Sequence, residues 1–452
     1  MADTIAAIAT APGIGGIGVI RISGPEAIAI GCALSGRRRL TPRQAHFAHL
    51  RDETGTPLDE GLVLAFPGPN SFTGEDVVEV QGHGGPVVLQ SLLGAVLRAG
   101  ARQAGPGEFS QRAFLNDRMD LIQAEAIADL IHARSEAAHR AALRSLAGGF
   151  SKAIFDLEQQ LTALRVWVEA SLDFPDEDLD LLADPQVLAR LSALEEGLAT
   201  LLRQSQSGQV LTEGVRAVLL GEPNVGKSSL MNRLTDNETS IVTDVPGTTR
   251  DIVKEQVLID GIPLLLLDTA GLREQADQVE TEGIRRAQAA AGSADLLLYV
   301  SDARDSTADG LDRPGLETRL GFPLPSAVCH IRNKTDLLPA PPLAPPEHGP
   351  MGTVWVSARS GDGLDALRQA VKAALGLQME TSTFSARARH LALLQAAQLA
   401  LAEARALLET FPSADLVADQ LKLAHDAFSE MTGQVTPDDL LGKIFSTFCI
   451  GK

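Results

Sequence analysis

The stretch Gly221-Glu-Pro-Asn-Val-Gly226-Lys227-Ser228 constrains this chain more than any other. It follows the pattern G-x-x-x-x-G-K-[ST], with the apolar run Ala217–Leu220 entering and a helical pattern from Ser229-Leu230-Met231 leaving. Small and glycine residues let backbone N–H groups wrap phosphate oxygens, and the following helix N-terminus adds positive potential. Asn224, Val225, Gly226 and Ser229 complete such a loop, Lys227 reaches the β- and γ-phosphates, and the Ser228 hydroxyl ligates Mg²⁺. From Val215 to about residue 375, further apolar runs (Leu264–Leu267, Leu296–Val300, Ala327–Ile331, Thr353–Val356) alternate with helical stretches. Near-continuous apolar strands separated by helices predict a parallel sheet covered on both faces.

The downstream motifs select the nucleotide. Asp268-Thr269-Ala270-Gly271 follows the run Leu264–Leu267, which puts a carboxylate near Mg²⁺ and a glycine at the γ-phosphate. In Asn333-Lys334-Thr335-Asp336, the Asp336 carboxylate can accept from guanine N1–H and the exocyclic amine. Adenine lacks that pair of donors and would leave a buried carboxylate unpaired. Ser357-Ala358-Arg359 fits a backbone contact to guanine O6. In this order on successive strands, these segments resemble the translation-factor-type GTPases, and GTP is the expected ligand. Thr243-Asp244-Val245-Pro246-Gly247-Thr248-Thr249-Arg250 is the candidate first switch, with Thr249 on Mg²⁺. Leu272 stands where small regulatory GTPases carry a water-orienting Gln, so another group must position the attacking water.

The remaining sequence frames this domain. Residues 1–118 carry short apolar runs (Ile5–Ile8, Gly18–Ile22, Leu62–Phe66, Val77–Val80) divided by turn clusters, which reads as an α+β domain. From about residue 119, Leu121, Ala124, Ala128 and Ile131 recur at helical spacing, and helical patterning continues to about Gln206. It returns after residue 384 with Leu391, Leu394, Ala397, Leu401, Ala404 and Leu408. The expected architecture is an α/β P-loop domain (213–378) inserted in an all-helical domain (119–212 and 379–452), preceded by the α+β domain (1–118). With 39 Lys+Arg against 58 Asp+Glu, the net charge of −19 argues against wholesale wrapping of nucleic acid. An RNA partner would need a local basic patch such as Arg37-Arg38-Arg39, Arg285-Arg286 or Arg387-Ala388-Arg389, each of which also reads as solvated surface. Cys32, Cys329 and Cys449 are too few and too dispersed for a disulfide scaffold or a Cys-rich zinc site. No apolar run approaches the ~20 residues of a membrane span and no secretory signal is visible, so a cytosolic chain without a membrane partner is expected.

Several segments then identify a family. Pro67-Gly-Pro-Asn-Ser-Phe-Thr-Gly-Glu-Asp, Gln81-Gly-His-Gly-Gly, Pro106-Gly-Glu-Phe, Arg112-Ala-Phe-Leu-Asn, Gln123-Ala-Glu-Ala-Ile-Ala-Asp-Leu-Ile, Thr243–Arg250 and the tail Cys449-Ile-Gly-Lys452 resemble the MnmE/TrmE tRNA-modification GTPases. The resemblance runs essentially end to end. It implies a homodimer formed through the N-terminal domain, which also binds a tetrahydrofolate one-carbon derivative (5-formyl or methylene). It implies tRNA as substrate and a flavoprotein partner of the MnmG (GidA) type, assembled as a heterotetramer in which the partner alone carries FAD. Together they would build an aminomethyl or carboxymethylaminomethyl group at C5 of the wobble uridine. The resemblance further implies a K⁺ ion held by Asn224, Thr243, Val245 and Thr248, standing where an arginine finger would place its charge. G-domain dimerisation would activate hydrolysis, and Glu280 would orient the water, which accounts for Leu272. Folate contacts map to Arg21, Glu79, Arg118 and Lys452, with Arg118 where the family usually has Lys.

Other features read more plainly. Gly13-Ile-Gly15-Gly-Ile-Gly18 satisfies G-x-G-x-x-G, but an apolar strand follows where a dinucleotide fold needs a helix, so a hairpin-type turn is expected. The C-terminal Cys-Ile-Gly-Lys is wrong for prenylation. Cys449 reads either as a group with a role in the modification or as a small buried hydrophobe. His83 reads as an acid–base group or a turn residue, and the acidic run Asp173–Asp178 as a helix break. An alternative function is a GTPase that assembles ribosomal RNA without modifying it. Such proteins carry a second P-loop or an added RNA module, and this chain has neither.

Overall fold

The protein is described by a computed structural model covering residues 3–173, 185–237, 253–267, 288–289, 291–309, 311–339, 351–377, 383–410, 413–434 and 438–451. It divides into two compact units, Met1–Ala128 with His425–Lys452, and Asp129–Ala424.

The first unit is built on a six-stranded sheet. Its strands are β1 (Ile5–Ile8), β2 (Gly15–Ser23), β3 (His46–Arg51), β4 (Pro57–Phe66), β5 (Val77–Gly84) and β6 (Arg102–Gln103), in the order β3-β4-β5-β2-β1-β6. All neighbours pair antiparallel except β1 and β6. Helices α1 (Ala27–Ser35) and α2 (Pro86–Arg98) bury Ile30, Leu34, Leu89, Leu92 and Val96 against Ile20, Ile22, Val63, Val78 and Val80. The opposite face carries Arg21 and Glu79, cross-strand partners on β2 and β5. One apolar and one polar face is the usual state of an antiparallel sheet, and β3 alternates buried and exposed accordingly. The Gly13–Gly18 segment leads from β1 into antiparallel β2, which is the hairpin that its sequence suggests. The helix Asp438–Ser446 belongs to this unit, packing Leu441, Ile444, Phe445 and Phe448 on Leu121, Ala124 and Ala128. The tail continues as a bridge from Ile450 to Pro106, with the Gly107 N–H donating to the Cys449 carbonyl at 3.3 Å.

The second unit pairs long helices with a second sheet. In Pro185–Glu213, Leu191, Leu194, Leu198, Leu201 and Leu202 are buried, and in Ala388–Thr410 the buried set is Leu391, Leu394, Ala397, Leu401, Ala404 and Leu408. The two helices run against each other and are bridged by Arg405 Nε and Glu195 Oε2 at 2.9 Å. Ala388–Thr410 is long and apolar enough to cross a membrane by length and composition, but here its apolar side is core. The chain passes from Glu213 through Gly214 into β7 (Val215–Gly221) and, after the helix Leu364–Ala374, returns to the helices. The α/β domain is therefore inserted between helical segments, as the periodicities predict.

Its sheet has the order β12-β11-β10-β7-β9-β8, formed by Met351–Trp355, Ala327–Asn333, Leu296–Asp302, β7, Ile262–Leu267 and Val253–Ile259. Five strands are parallel, and β8 is an antiparallel edge that the sequence reading does not anticipate. Its polar Lys254, Glu255 and Gln256 interrupt the apolar run expected of a buried strand. Every residue of β11 is buried, since both faces of the sheet are covered.

Gly208 shows how closely the helical segments approach. A Cβ there would collide with the Phe384 carbonyl oxygen. Gly208→Ala should lower unfolding stability by about 1–3 kcal/mol, the usual cost of overpacking, measured by thermal denaturation of the full chain. An unchanged transition would mean that the 383–387 segment yields freely.

Candidate functional site

The phosphate loop joins the carboxyl end of β7 to the helix Lys227–Asn237 at the edge of an apolar core that includes Leu219, Val225, Leu230 and Val300. Asn224 has φ +61° and Gly226 φ +97°, the left-handed values that turn successive amides the same way. Gly226 cannot be replaced cheaply, because a Cβ there would collide with the Asn333 side-chain amide. In this conformation Lys227 Nζ donates to the carbonyls of Gly221 (2.6 Å) and Glu222 (2.7 Å), holding the ammonium at the mouth of the loop. Ser228 opens the helix that starts there.

The segments expected to read guanine meet this loop from the neighbouring strands. Asn333 ends β11 and is buried; its Nδ2 donates to the Val225 carbonyl at 2.8 Å and its Oδ1 accepts from the Ala358 N–H at 3.0 Å. One side chain thus ties the phosphate loop to the Ser357-Ala358-Arg359 loop. Ser357 Oγ donates to Asp336 Oδ1 at 2.7 Å, fixing the carboxylate expected to read the base. Lys334, at φ +70°, donates to Asp302 Oδ2 at 3.0 Å. Asp302 is a site residue that sequence reasoning missed. It ends β10 as the register partner of Asn333, and its place at the carboxyl end of a parallel strand is the signal that could have found it.

The first unit holds a separate cavity of about 500 Å³, lined by Arg21, Arg43, Phe66, Asn70, Ser71, Phe72, Val77, Glu79 and Arg118. Three of the four expected folate contacts, Arg21, Glu79 and Arg118, share it. Arg21 Nε (3.1 Å) and Nη2 (2.9 Å) both donate to Glu79 Oε1, and the guanidinium carbon lies 5.3 Å from the centroid of the Phe72 ring. Arg43, stacked on Phe66 at 5.7 Å, is a cation that the sequence did not single out. The cavity therefore combines flat apolar walls, three guanidinium groups and one carboxylate, a donor set suited to a planar heteroaromatic ring with a polar edge and an anionic tail.

Beside this cavity, motifs far apart in sequence converge. Arg112 donates to Glu75 (3.1 Å), Glu108 (3.0 Å) and Asp3 (2.7 Å). Asn116 Nδ2 donates to the Thr73 carbonyl at 2.7 Å, and Ser23 Oγ to Glu75 at 2.7 Å. The segments around Pro67–Asp76, Pro106–Phe109 and Arg112–Asn116 are thus one ion-pair and hydrogen-bond network.

Other candidates resolve differently. Cys449 is exposed rather than a buried hydrophobe. Arg387 pairs with Asp129 at 2.7 Å, so it is not a free basic patch, whereas Arg37, Arg38 and Arg39 are exposed. Thr243, Asp244, Val245, Pro246, Gly247, Thr248, Thr249, Asp268, Thr269, Ala270, Gly271, Glu280, Arg285, Arg286 and Lys452 lie outside the described residues. The acidic run beyond Asp173 does too.

His83 is exposed, with Nδ1 and its backbone N–H each 2.7 Å from the Asp59 carboxylate. The side-chain hydrogen bond to Asp59 raises the imidazole pKa. Burial pushes Asp59 up, yet the hydrogen bonds from His83 outweigh it and leave the carboxyl lowered. The His83 imidazole should titrate above its ordinary midpoint, and Asp59→Asn should bring it down, read by NMR. Because the folded pKa is raised, any stabilisation is present at low pH and lost as pH rises through that midpoint. A midpoint indifferent to Asp59→Asn would dismiss the pairing.

Asn333→Ala would orphan the Val225 carbonyl and the Ala358 amide, at about 1–3 kcal/mol per buried group. Guanine-nucleotide affinity should fall by about tenfold or more, since ~1.4 kcal/mol is tenfold; fluorescent-nucleotide titration reads it, and unchanged affinity would remove Asn333 as the tie.

Comparison with known proteins agrees with this geometry. The family description "GTP-binding protein TrmE N-terminus" matches residues 4–118, and "MnmE helical domain" matches residues 121–449. The tRNA modification GTPase MnmE of Stutzerimonas stutzeri (strain A1501) is 50% identical over 453 residues, covering 100% of this chain and 99% of that protein. The protein of the same name from Pseudomonas paraeruginosa (strain DSM 24068 / PA7) is 52% identical over 452 residues, with the same coverage. With matches of this extent across both units, the chain belongs to the MnmE family of tRNA modification GTPases.

Proposed function

We propose that this chain hydrolyses GTP to drive a tetrahydrofolate-dependent modification of tRNA, building an aminomethyl or carboxymethylaminomethyl group at C5 of the wobble uridine. The observation that carries the reading is the pairing, in one chain of this family, of a guanine-type nucleotide site with a cavity bearing Arg21, Glu79 and Arg118. In this reading residues 1–118 bind the folate and form the homodimer, 119–212 with 379–452 form the central helical domain, and 213–378 hydrolyse GTP. The chain acts in the cytoplasm with a flavoprotein partner of the MnmG type, which alone carries FAD.

The residues divide the work as follows. The amides from Asn224 to Ser229 and the Lys227 ammonium bind the phosphates, and Asp336 with Asn333 and Ala358 holds the base. Ser228 and Thr249 would hold Mg²⁺, and Asn224, Thr243, Val245 and Thr248 would hold K⁺. Asn224 lies within the loop itself, with a left-handed backbone at φ +61°. The two cations supply positive charge against the charge that develops between the β- and γ-phosphates. Glu280 orients the attacking water. In the cavity of the first unit, Arg21 and Arg118 would meet folate oxygens and Glu79 the pterin's amide and amine edge. Cys449, exposed at the end of the docked tail, is a candidate for a direct part in the modification.

Nucleoside mass spectrometry of tRNA from cells lacking the gene, rescued by wild type or Asp336→Asn, tests the whole reading. Restoration of a C5-aminomethyl-type uridine by wild type alone is expected, and an unchanged nucleoside profile would favour RNA assembly without modification. Glu280→Ala should lower kcat for GTP by at least about 10²-fold while binding persists, as expected for loss of the water-orienting group. Replacing K⁺ by Na⁺ should slow turnover by on the order of tenfold or more. Near-normal turnover in the mutant, or equal rates in both salts, would remove the corresponding assignment.

A further inference from the structure

Four charged side chains crowd the base end of the nucleotide site: the carboxylates Asp302 and Asp336 and the cations Lys334 and Arg304. Their pairing is lopsided. Asp302 takes both cations: Lys334 Nζ at 3.0 Å, and Arg304 through Nε (2.9 Å) and Nη2 (2.8 Å), with the Arg304 backbone N–H also on Oδ1 at 3.0 Å. Asp336, near enough for its charge to act on Arg304, has Ser357 Oγ as its hydrogen-bond partner among the described residues. We propose that Asp302 is a specificity-positioning residue, which holds Lys334 and Arg304 away from Asp336 and so keeps that carboxylate open to the donor edge of guanine.

The physical case is one of competition. A carboxylate bound to an ammonium or guanidinium has its acceptor sites committed to strong charge-assisted hydrogen bonds. Guanine N1–H and the exocyclic amine are neutral donors and compete poorly with such a partner. Asp302 holds both cations because it receives Lys334 Nζ, Arg304 Nε and Nη2 and the Arg304 backbone N–H together, and the Arg304 side chain, foremost, keeps its carboxyl well below the usual range despite partial burial. The turn that carries it is rigid as well. Arg332, buried beneath Trp355 at 4.9 Å, donates to the carbonyls of Ala303 (3.0 Å) and Asp305 (2.8 Å).

This inference rests on the guanine-nucleotide reading and deepens it. The test uses full-length protein and measures Kd for fluorescent GDP, XDP and ADP. In Asp302→Asn, a freed cation pairs with Asp336, so GDP affinity should fall by about tenfold. Xanthine presents a carbonyl where guanine has its amine, so XDP should lose less, and the GDP/XDP preference should shrink. Asp302→Glu should restore most of the preference. Arg304→Ala should not weaken GDP binding, since Asp302 then holds Lys334 alone. A purely structural role for the Asp302–Arg304 turn predicts instead that Arg304→Ala weakens GDP as much as Asp302→Asn does. Equal losses for GDP and XDP in Asp302→Asn, or no loss at all, would also overturn the proposal. If wild type fails to prefer GDP over ADP, the guanine reading itself falls; if wild type prefers GDP and the variants keep its GDP/XDP ratio, only Asp302 loses its role.

Discussion

Everything at the nucleotide site hangs on the side chain of Asn333. The phosphate loop is a turn of glycine and small residues with no ladder of its own, so its shape must be imposed from outside. Asn333 does this by donating to the Val225 carbonyl, while its own oxygen takes the Ala358 amide. A single buried amide therefore ties the part of the site expected to take phosphate to the part expected to take the base. Because each of these groups would cost about 1–3 kcal/mol if left unpaired, the arrangement resists alternatives. Gly226 is the complementary requirement, since any side chain there would strike the amide that holds the loop.

Both units use a second device, a cation restrained by a carboxylate next to the place where a ligand is expected. Arg21 is held by Glu79 in the first unit and Lys334 by Asp302 in the second. With an excess of 19 acidic charges the chain has carboxylates available for such duty without neutralising its ligand-facing cations wholesale. The restraint lowers the side-chain entropy that ordering a long cation on binding would otherwise cost. In the first unit the restraint reaches deeper, since the Arg112 network anchors Glu75 and Asp3 beside the cavity wall at Phe72.

The legibility of these features follows from how local they are. The phosphate loop, the parallel strands and the long helices were readable because each depends on spacing within one short segment: glycines in a turn, continuous apolar strands, Leu and Ala at helical intervals. The edge strand β8 is hidden because three of its seven residues are polar, and β3 because His46–Arg51 alternates over only six residues. The network of Arg112 with Asp3, Glu75 and Glu108 was visible only as separate motifs, since nothing in the chain says that positions 3, 75 and 108 meet.

By itself, then, the sequence determined the chemistry on offer: a P-loop pattern, a carboxylate at Asp336 expected to read guanine, cations at Arg21 and Arg118, and the family to which they belong. Only the tertiary structure decided how these groups are committed. It gave Arg21 to Glu79, Lys334 to Asp302, Arg387 to Asp129 and the Cys449 carbonyl to the Gly107 amide, and it left the Cys449 thiol exposed. The reason is that a hydrogen bond or ion pair is worth having only within about 3 Å and in the right direction, and such proximity between distant residues is a property of the folded chain alone.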